Sequence, residues 1–214
     1  MQNRNQLIVS EGYPFIALFG FITLVFAVLG WVFLTLLFLF LTLFSAYFFR
    51  NPERIIPAGE NLLIAPADGK VIFVGEVLEE RYFKEQVTKV SIFMSVFNVH
   101  VNRVPCDGKV IDMYYNKGGF VNASYDKASE SNEQAGILLE REDSSKVLFV
   151  QIAGLIARRI VTYPVIGDLL QCGARYGLIR FGSRVDIYFS KTADVTVTLG
   201  ERTVAGETVL GTLS

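Results

Sequence analysis

Val87-Thr88-Lys89-Val90-Ser91-Ile92-Phe93-Met94-Ser95-Val96-Phe97-Asn98-Val99-His100-Val101-Asn102-Arg103-Val104 is the stretch on which the fold class turns. In its first half Val90, Ile92 and Met94 alternate with Lys89, Ser91 and Phe93, the two-residue period of a strand with one face turned inward. Strands are expected over residues 87–96 and 99–104. The same texture extends both ways, to 70–77 on one side and to 109–115, 136–141, 146–152, 158–163, 184–189 and 194–199 on the other. Asp68-Gly69, Asp107-Gly108 and Gly118-Gly119 punctuate it as turns, so a mainly β, sandwich- or barrel-like domain is expected. Residues 164–173 leave room for a short helical turn.

Upstream the texture changes completely. No charged residue occurs over residues 14–49, which include Phe21, Leu29, Trp31, Leu36, Phe40 and Leu43. A run of ~18 apolar residues already reads as a membrane-spanning helix. One continuous helix over these ~36 residues would reach about 54 Å, well beyond a hydrocarbon core of about 30 Å. Two helices reversing at Gly30, with Gly20, Ala27 and Ser45 allowing close approach, fit better than one tilted span plus an interfacial helix. Both flanks of such a hairpin lie on one side of the bilayer, and Arg50 and Arg54 favour the cytoplasmic side of the cell membrane, diluted by Glu11 and Glu53. The run is too long for a secretory signal and shows no cleavage site. Asn51-Pro52 ends the helix, giving a membrane-associated helical segment over residues 1–54 and a β-rich domain over 55–214.

Composition narrows the function classes. The 214 residues are 51% hydrophobic and 19% charged, more apolar than a soluble domain of this size. A formal net charge of −1 gives nucleic acid no basic face to bind. Cys106 and Cys172 have no ligand spacing and His100 is the only histidine. No metal site is expected, and the cysteines read as buried thiols in a reducing compartment. Glycine patterns that cradle phosphates are absent from the sequence.

The chemistry-bearing segment is Tyr176-Gly177-Leu178-Ile179-Arg180-Phe181-Gly182-Ser183-Arg184-Val185-Asp186-Ile187-Tyr188, which holds the chain's one Gly-Ser pair. Most Gly-Ser pairs are turns. Such a bond also has a chemical use, because glycine accepts strained backbone and leaves its carbonyl open to the neighbouring hydroxyl. An N-to-O shift there gives an ester, elimination at serine gives dehydroalanine, and hydrolysis leaves a pyruvoyl group.

Four ordered blocks resemble the phosphatidylserine decarboxylase proenzymes, in the short bacterial and archaeal form of this pyruvoyl-dependent family. They are Ala65-Pro66-Ala67-Asp68-Gly69-Lys70-Val71, residues 93–105 around His100, Val150-Gln151-Ile152-Ala153-Gly154-Leu155-Ile156-Ala157-Arg158-Arg159-Ile160, and the Gly-Ser segment. The resemblance implies cleavage between Gly182 and Ser183 into chains 1–182 and 183–214, with Ser183 becoming a covalent pyruvoyl cofactor. It implies decarboxylation of phosphatidylserine in the membrane to phosphatidylethanolamine and CO2 through a Schiff base, and a homo-oligomer. His100 is implied as general acid and substrate-positioning residue, and Asp68 as a carboxylate assisting self-cleavage; the alternatives are a hydrogen-bonded strand histidine and a turn aspartate. Longer members have a second histidine where this chain has Arg103 and a threonine where it has Arg184, so the resemblance carries no Asp-His-Ser relay over. Arginine stays protonated but clamps carboxylate or phosphate, so Arg103 or Arg184 is expected to help hold the substrate headgroup, the alternative being a solvated strand arginine; Asn98 of the His100 block is assigned to substrate binding with them. Arg158-Arg159 reads either as a headgroup contact or as a solvated pair.

Two alternatives stay open. Pro66-Ala67-Asp68-Gly69-Lys70-Val71 would also suit a lipoyl-like module in a membrane-tethered adaptor, which would remain one chain. An ether lipid with the same serine headgroup, archaetidylserine, would need the same catalytic residues.

Overall fold

The computed structural model describes residues 6–119, 132–154, 160–180 and 182–214. Arg158 and Arg159 lie outside the described residues. The chain forms two compact units, residues 1–53 and 54–214.

The first unit is a helical hairpin. A 3-10 turn (Ser10–Gly12) leads into α1 (Tyr13–Val28), whose early Pro14 occupies a position where the missing N–H is not needed. The chain reverses at Gly30, which takes φ +72°, and returns as α2 (Val32–Phe48). Phe26 and Phe38 stack across the hairpin at 5.6 Å, and Thr23 meets Thr42 hydroxyl to hydroxyl at 3.5 Å. Both threonines also donate back to carbonyls one turn earlier, Phe19 and Phe38, at 2.8 Å, which keeps their hydroxyls satisfied without water. Phe21, Phe33, Leu36 and Phe40 are exposed. Ser10–Val28 is long and apolar enough to cross a membrane, and α2 is shorter.

The second unit is mainly β. A curled sheet has the order β13 (Arg202–Thr203), β2 (Gly69–Glu79), β3 (Glu85–Met94), β11 (Ser183–Phe189), β7 (Lys146–Ala153), β6 (Gln134–Glu140), β5 (Gly108–Asn116), β9 (Leu169–Leu170), and all neighbours are antiparallel. Register shifts at Val71/Phe73 and Val110/Asp112 are the irregularities that let a wide sheet bend. Two three-stranded sheets complete the domain: β4 (Val101–Arg103), β10 (Arg175–Ile179) and β8 (Ile160–Thr162), with β10 central, and β1 (Leu62–Ile64), β14 (Val209–Thr212) and β12 (Asp194–Val195), with β14 central.

Strand alternation sorts the side chains of the large sheet. Val90, Ile92 and Met94 of β3, Val185, Ile187 and Phe189 of β11 and Phe149 and Ala153 of β7 face inward against Leu63, Val104, Tyr176, Ile179 and Leu210. The opposite face carries Leu138, Leu148, Val150 and Ile152 beneath Tyr82, Phe83, Tyr114 and Tyr188. The middle of the sheet is therefore covered on both sides, which is why residues 146–152 read as a nearly unbroken apolar run.

Two stretches differ from expectation. Residues 164–173 hold a tight turn and β9 rather than a helical turn; the Asp168 carboxylate accepts from the Val165 N–H at 3.0 Å and closes it. The strand expected over 194–199 shortens to β12, whose ladder with β14 pairs Asp194 and Val195; Thr196 still donates its N–H to the Leu210 carbonyl at 2.9 Å. Cys106 and Cys172 are free thiols. Burial pushes Cys106 up to about 12 and Cys172 up to about 11, with Asp107 adding to both shifts.

Candidate active site

The Gly-Ser pair lies where the chain passes from one sheet to another. β10 is the middle strand of its small sheet and ends at Ile179. Four residues later Ser183 opens β11 in the large sheet, paired with Met94 of β3 on one side and Ala153 of β7 on the other. Gly182 makes the crossing with φ +57°. A Cβ there would meet nothing within 4 Å, so glycine is needed for its backbone conformation and not for space; the left-handed region costs other residues about 1–2 kcal/mol.

Ser183 is completely buried, and its Oγ has no hydrogen-bond partner among the described residues. A buried hydroxyl left this way costs about 1–3 kcal/mol. It is an unusual state for a serine in a sheet interior and a favourable one for a nucleophile one residue from the carbonyl it would attack.

His100 reaches the same place by two routes. After Met94, β3 runs into a tight turn in which the Asn98 Oδ1 accepts from the Ser95 N–H and Oγ–H, both at 2.8 Å, while the Asn98 N–H donates to the Ser95 carbonyl at 3.0 Å. The Asn98 carbonyl then takes His100 Nδ1 at 2.9 Å. A carbonyl only accepts, so Nδ1 carries the proton in this contact and Nε2 is the acceptor nitrogen of the neutral ring. From the other side, the His100 carbonyl receives the Ile179 N–H at 3.4 Å. His100 is thus tied to the start of the segment that ends at Ser183, and its own strand precursor, Met94, pairs with Ser183 directly. His100 is 1% exposed.

Asp68 lies on the other side of β3. Gly69 begins β2, and Lys70, Phe93 and Arg184 stand in register across β2, β3 and β11. The start of β2 and the start of β11 are therefore separated by two strand spacings, roughly 10 Å of sheet, and Asp68 immediately precedes β2. Both Asp68 oxygens accept from Arg54 Nη2, at 3.0 and 2.9 Å, and Oδ1 also accepts the Ala205 N–H at 2.8 Å. Gly69 is required here, since a Cβ would overlap the Phe93 carbonyl.

A profile described as phosphatidylserine decarboxylase matches residues 41–211, which include every residue of this constellation. The chain belongs to the phosphatidylserine decarboxylase family. It is 69% identical over 213 residues to a phosphatidylserine decarboxylase proenzyme of Syntrophotalea carbinolica, covering 100% of both chains. Proenzymes with the same name from Geotalea uraniireducens and Geobacter sulfurreducens are 54% and 55% identical, again over the full length of both.

Within this decarboxylase family frame, the two arginines assigned to the headgroup have different surroundings. Arg184 follows Ser183 on the strand and so points to the opposite face of the sheet. Its Nε and Nη2 each donate to Asp186 at 2.6 Å, with Lys89 Nζ 3.4 Å from the same carboxylate. Arg184 is 1% and Asp186 0% exposed. Removing the arginine leaves the buried Asp186 carboxylate with only the more distant Lys89 as a counter-charge among the described residues. Arg184→Met is expected to lower stability by about 3 kcal/mol, read as a drop in denaturation midpoint, while KM for the lipid stays at the wild-type value; a raised KM at unchanged stability would place the guanidinium at the substrate instead.

Arg103 is buried and donates from Nη1 to the Gly173 carbonyl at 2.9 Å. Burial, followed by the nearby Arg175 and Arg54, pushes it down to about 10, against the pull of Asp68 and Glu207. It remains a cation at neutral pH, in a cluster of three arginines and two carboxylates. Asn102 and Gln151 were not singled out from the sequence, yet both are buried among the segments that meet at Ser183.

Proposed function

We propose that this chain is a self-processing phosphatidylserine decarboxylase that makes phosphatidylethanolamine and CO2 at the cytoplasmic side of the cell membrane, held there by its helical hairpin. The observation that carries the reading is Ser183 Oγ, buried and without a hydrogen-bond partner among the described residues, adjoining the left-handed Gly182 in a chain that shares its full length with proenzymes.

Self-processing begins as Ser183 Oγ attacks the Gly182 carbonyl, and the acyl group moves from nitrogen to oxygen. Elimination from the ester takes the Ser183 α-proton and expels Gly182 as a carboxylate that keeps the serine oxygen. Hydrolysis of the resulting dehydroalanine releases ammonia and leaves pyruvoyl at the start of chain 183–214. The residues fit this group: conversion of Ser183 breaks no side-chain hydrogen bond among the described residues, and its strand neighbours Met94 and Ala153 bring no charge to it. The pyruvoyl group supplies an electrophilic carbonyl that takes up the headgroup amine and accepts the electron pair released as CO2 departs.

His100 moves protons at Nε2, with Nδ1 fixed on the Asn98 carbonyl, and returns one to the carbon that has lost CO2. Asn98 builds the turn that presents it. Arg103 contributes positive charge for the substrate phosphate or carboxylate, and Asp68 assists self-cleavage while paired with Arg54. The hairpin keeps the enzyme beside acyl chains that never leave the bilayer.

Intact mass of purified wild-type protein under denaturing conditions tests this reading. Two chains are expected, 1–182 and 183–214, the smaller lacking an amine at its N-terminus. A single uncleaved chain that decarboxylates phosphatidylserine would refute it.

A further inference from the structure

Asn102 of β4, Gly177 of β10 and Thr162 of β8 stand side by side in the small sheet, Gly177 in register with both. Gln151 reaches across this row from β7 of the large sheet. Its Nε2 donates to Asn102 Oδ1 at 2.8 Å and its Oε1 accepts from Thr162 Oγ1 at 3.0 Å. The carboxamide thus bridges the outer two strands by lying over the middle one. A Cβ at 177 would overlap the Val161 carbonyl, which requires glycine there, and would stand 3.2 Å from Gln151 Nε2, so the same glycine gives the carboxamide its room. Asn102 Nδ2 in turn lies 3.5 Å from the Pro66 carbonyl and 3.6 Å from Met94 Sδ.

We infer that Asn102, Gln151 and Thr162 are positioning residues that hold the His100-bearing sheet against the Ser183-bearing sheet once the peptide between Gly182 and Ser183 has been cut. The inference rests on the self-processing reading above. Asn102 is two residues from His100. Gln151 pairs with Val185 and sits two residues from Ala153, the partner of Ser183, and Met94 is the other partner. Before cleavage the segment 179–183 joins the two sheets covalently at the site. Afterwards that tie is gone, and the amide chain becomes a side-chain tie beside the reacting residue. Asn102 and Gln151 are at most 1% exposed, so water cannot readily replace a lost partner, and a network of this kind holds its geometry as a unit.

The test compares Asn102→Leu, Gln151→Met and Thr162→Val, each purified as the full chain and checked for its denaturation midpoint. A group that only supported the fold would change the midpoint and slow both reactions together. The inference expects a split: precursor cleavage within about threefold of wild type, and kcat of the cleaved enzyme on phosphatidylserine vesicles down about tenfold or more at nearly unchanged KM. The double variant Asn102→Leu/Gln151→Met is expected to be no slower than the worse single one, because the chain acts as one unit. Thr162→Val is isosteric and only half-buried, and decides the matter if the two amide variants fail to fold. Wild-type kcat in folded, cleaved variants, or multiplying losses in the double variant, would overturn the inference. A wild-type chain that never cleaves would overturn the underlying reading instead, and is told apart by preceding any substitution.

Discussion

Ser183→Ala is expected to give a single chain of full length with no measurable decarboxylase activity. The substitution removes one atom, and that atom makes no hydrogen bond among the described residues, so nothing that holds β11 between β3 and β7 is lost. Stability should stay level or rise by about 1 kcal/mol, since a buried unpaired hydroxyl is destabilising. The chemistry, in contrast, loses everything at once: no nucleophile for the Gly182 carbonyl, no ester, and no source for the electrophilic carbonyl. The two effects separate cleanly in one preparation. A denaturing gel reads the missing 183–214 chain, a thermal melt reads the intact fold, and CO2 release from phosphatidylserine reads activity. Cleavage in a folded Ser183→Ala protein, or turnover without it, would end the mechanism.

Much of this was legible because it depends on local pattern. The uncharged run over residues 14–49 and the reversal at Gly30 need only hydropathy and one glycine. The alternation around Val90, Ile92 and Met94 fixes both the strand and its inward face. Strand parity also carried information about Arg184: adjacent strand residues point to opposite faces, so Ser183 and Arg184 part company, while Asp186 two positions on shares the arginine's face as its partner. Gln151 was visible in the same way, as one carboxamide in the apolar run from Val147 to Ile152.

Other features depend on contacts far apart in the chain. The Ala67-Asp68-Gly69 turn is readable, but Arg54 as its ion-pair partner and Ala205 as its N–H donor come from segments that only the folded chain assembles. Strands β9, β13 and β14 are two to four residues long, too short to display a period. Nothing local marks Arg175–Ile179 as the central strand of a small sheet, because Gly177 breaks its pattern; its glycine is explained first by the close Val161 carbonyl and then by the crossing carboxamide, not by strand propensity.

Removal of the His100 imidazole is expected to separate processing from turnover. His100→Ala deletes a ring that holds its proton on Nδ1 through the Asn98 carbonyl and presents Nε2 as the acceptor. The Ser95–Asn98 turn keeps its own hydrogen bonds through the Asn98 Oδ1 and N–H, and the backbone bond from Ile179 to the His100 carbonyl does not involve the side chain. The strand entry should therefore persist around an empty ring site. Positioned acid–base groups contribute about 10²–10⁴ in rate, or roughly 3–5 kcal/mol of barrier. For His100→Ala protein that has already split into two chains, kcat on phosphatidylserine is expected to fall by about 100-fold or more, with a smaller change in KM because the headgroup contact proposed for Arg103 does not involve the ring. Single-turnover measurements on the separated, cleaved fraction isolate this step from any slowing of self-cleavage. Turnover within about threefold of wild type in that fraction would move the proton-transfer role from His100 to another group.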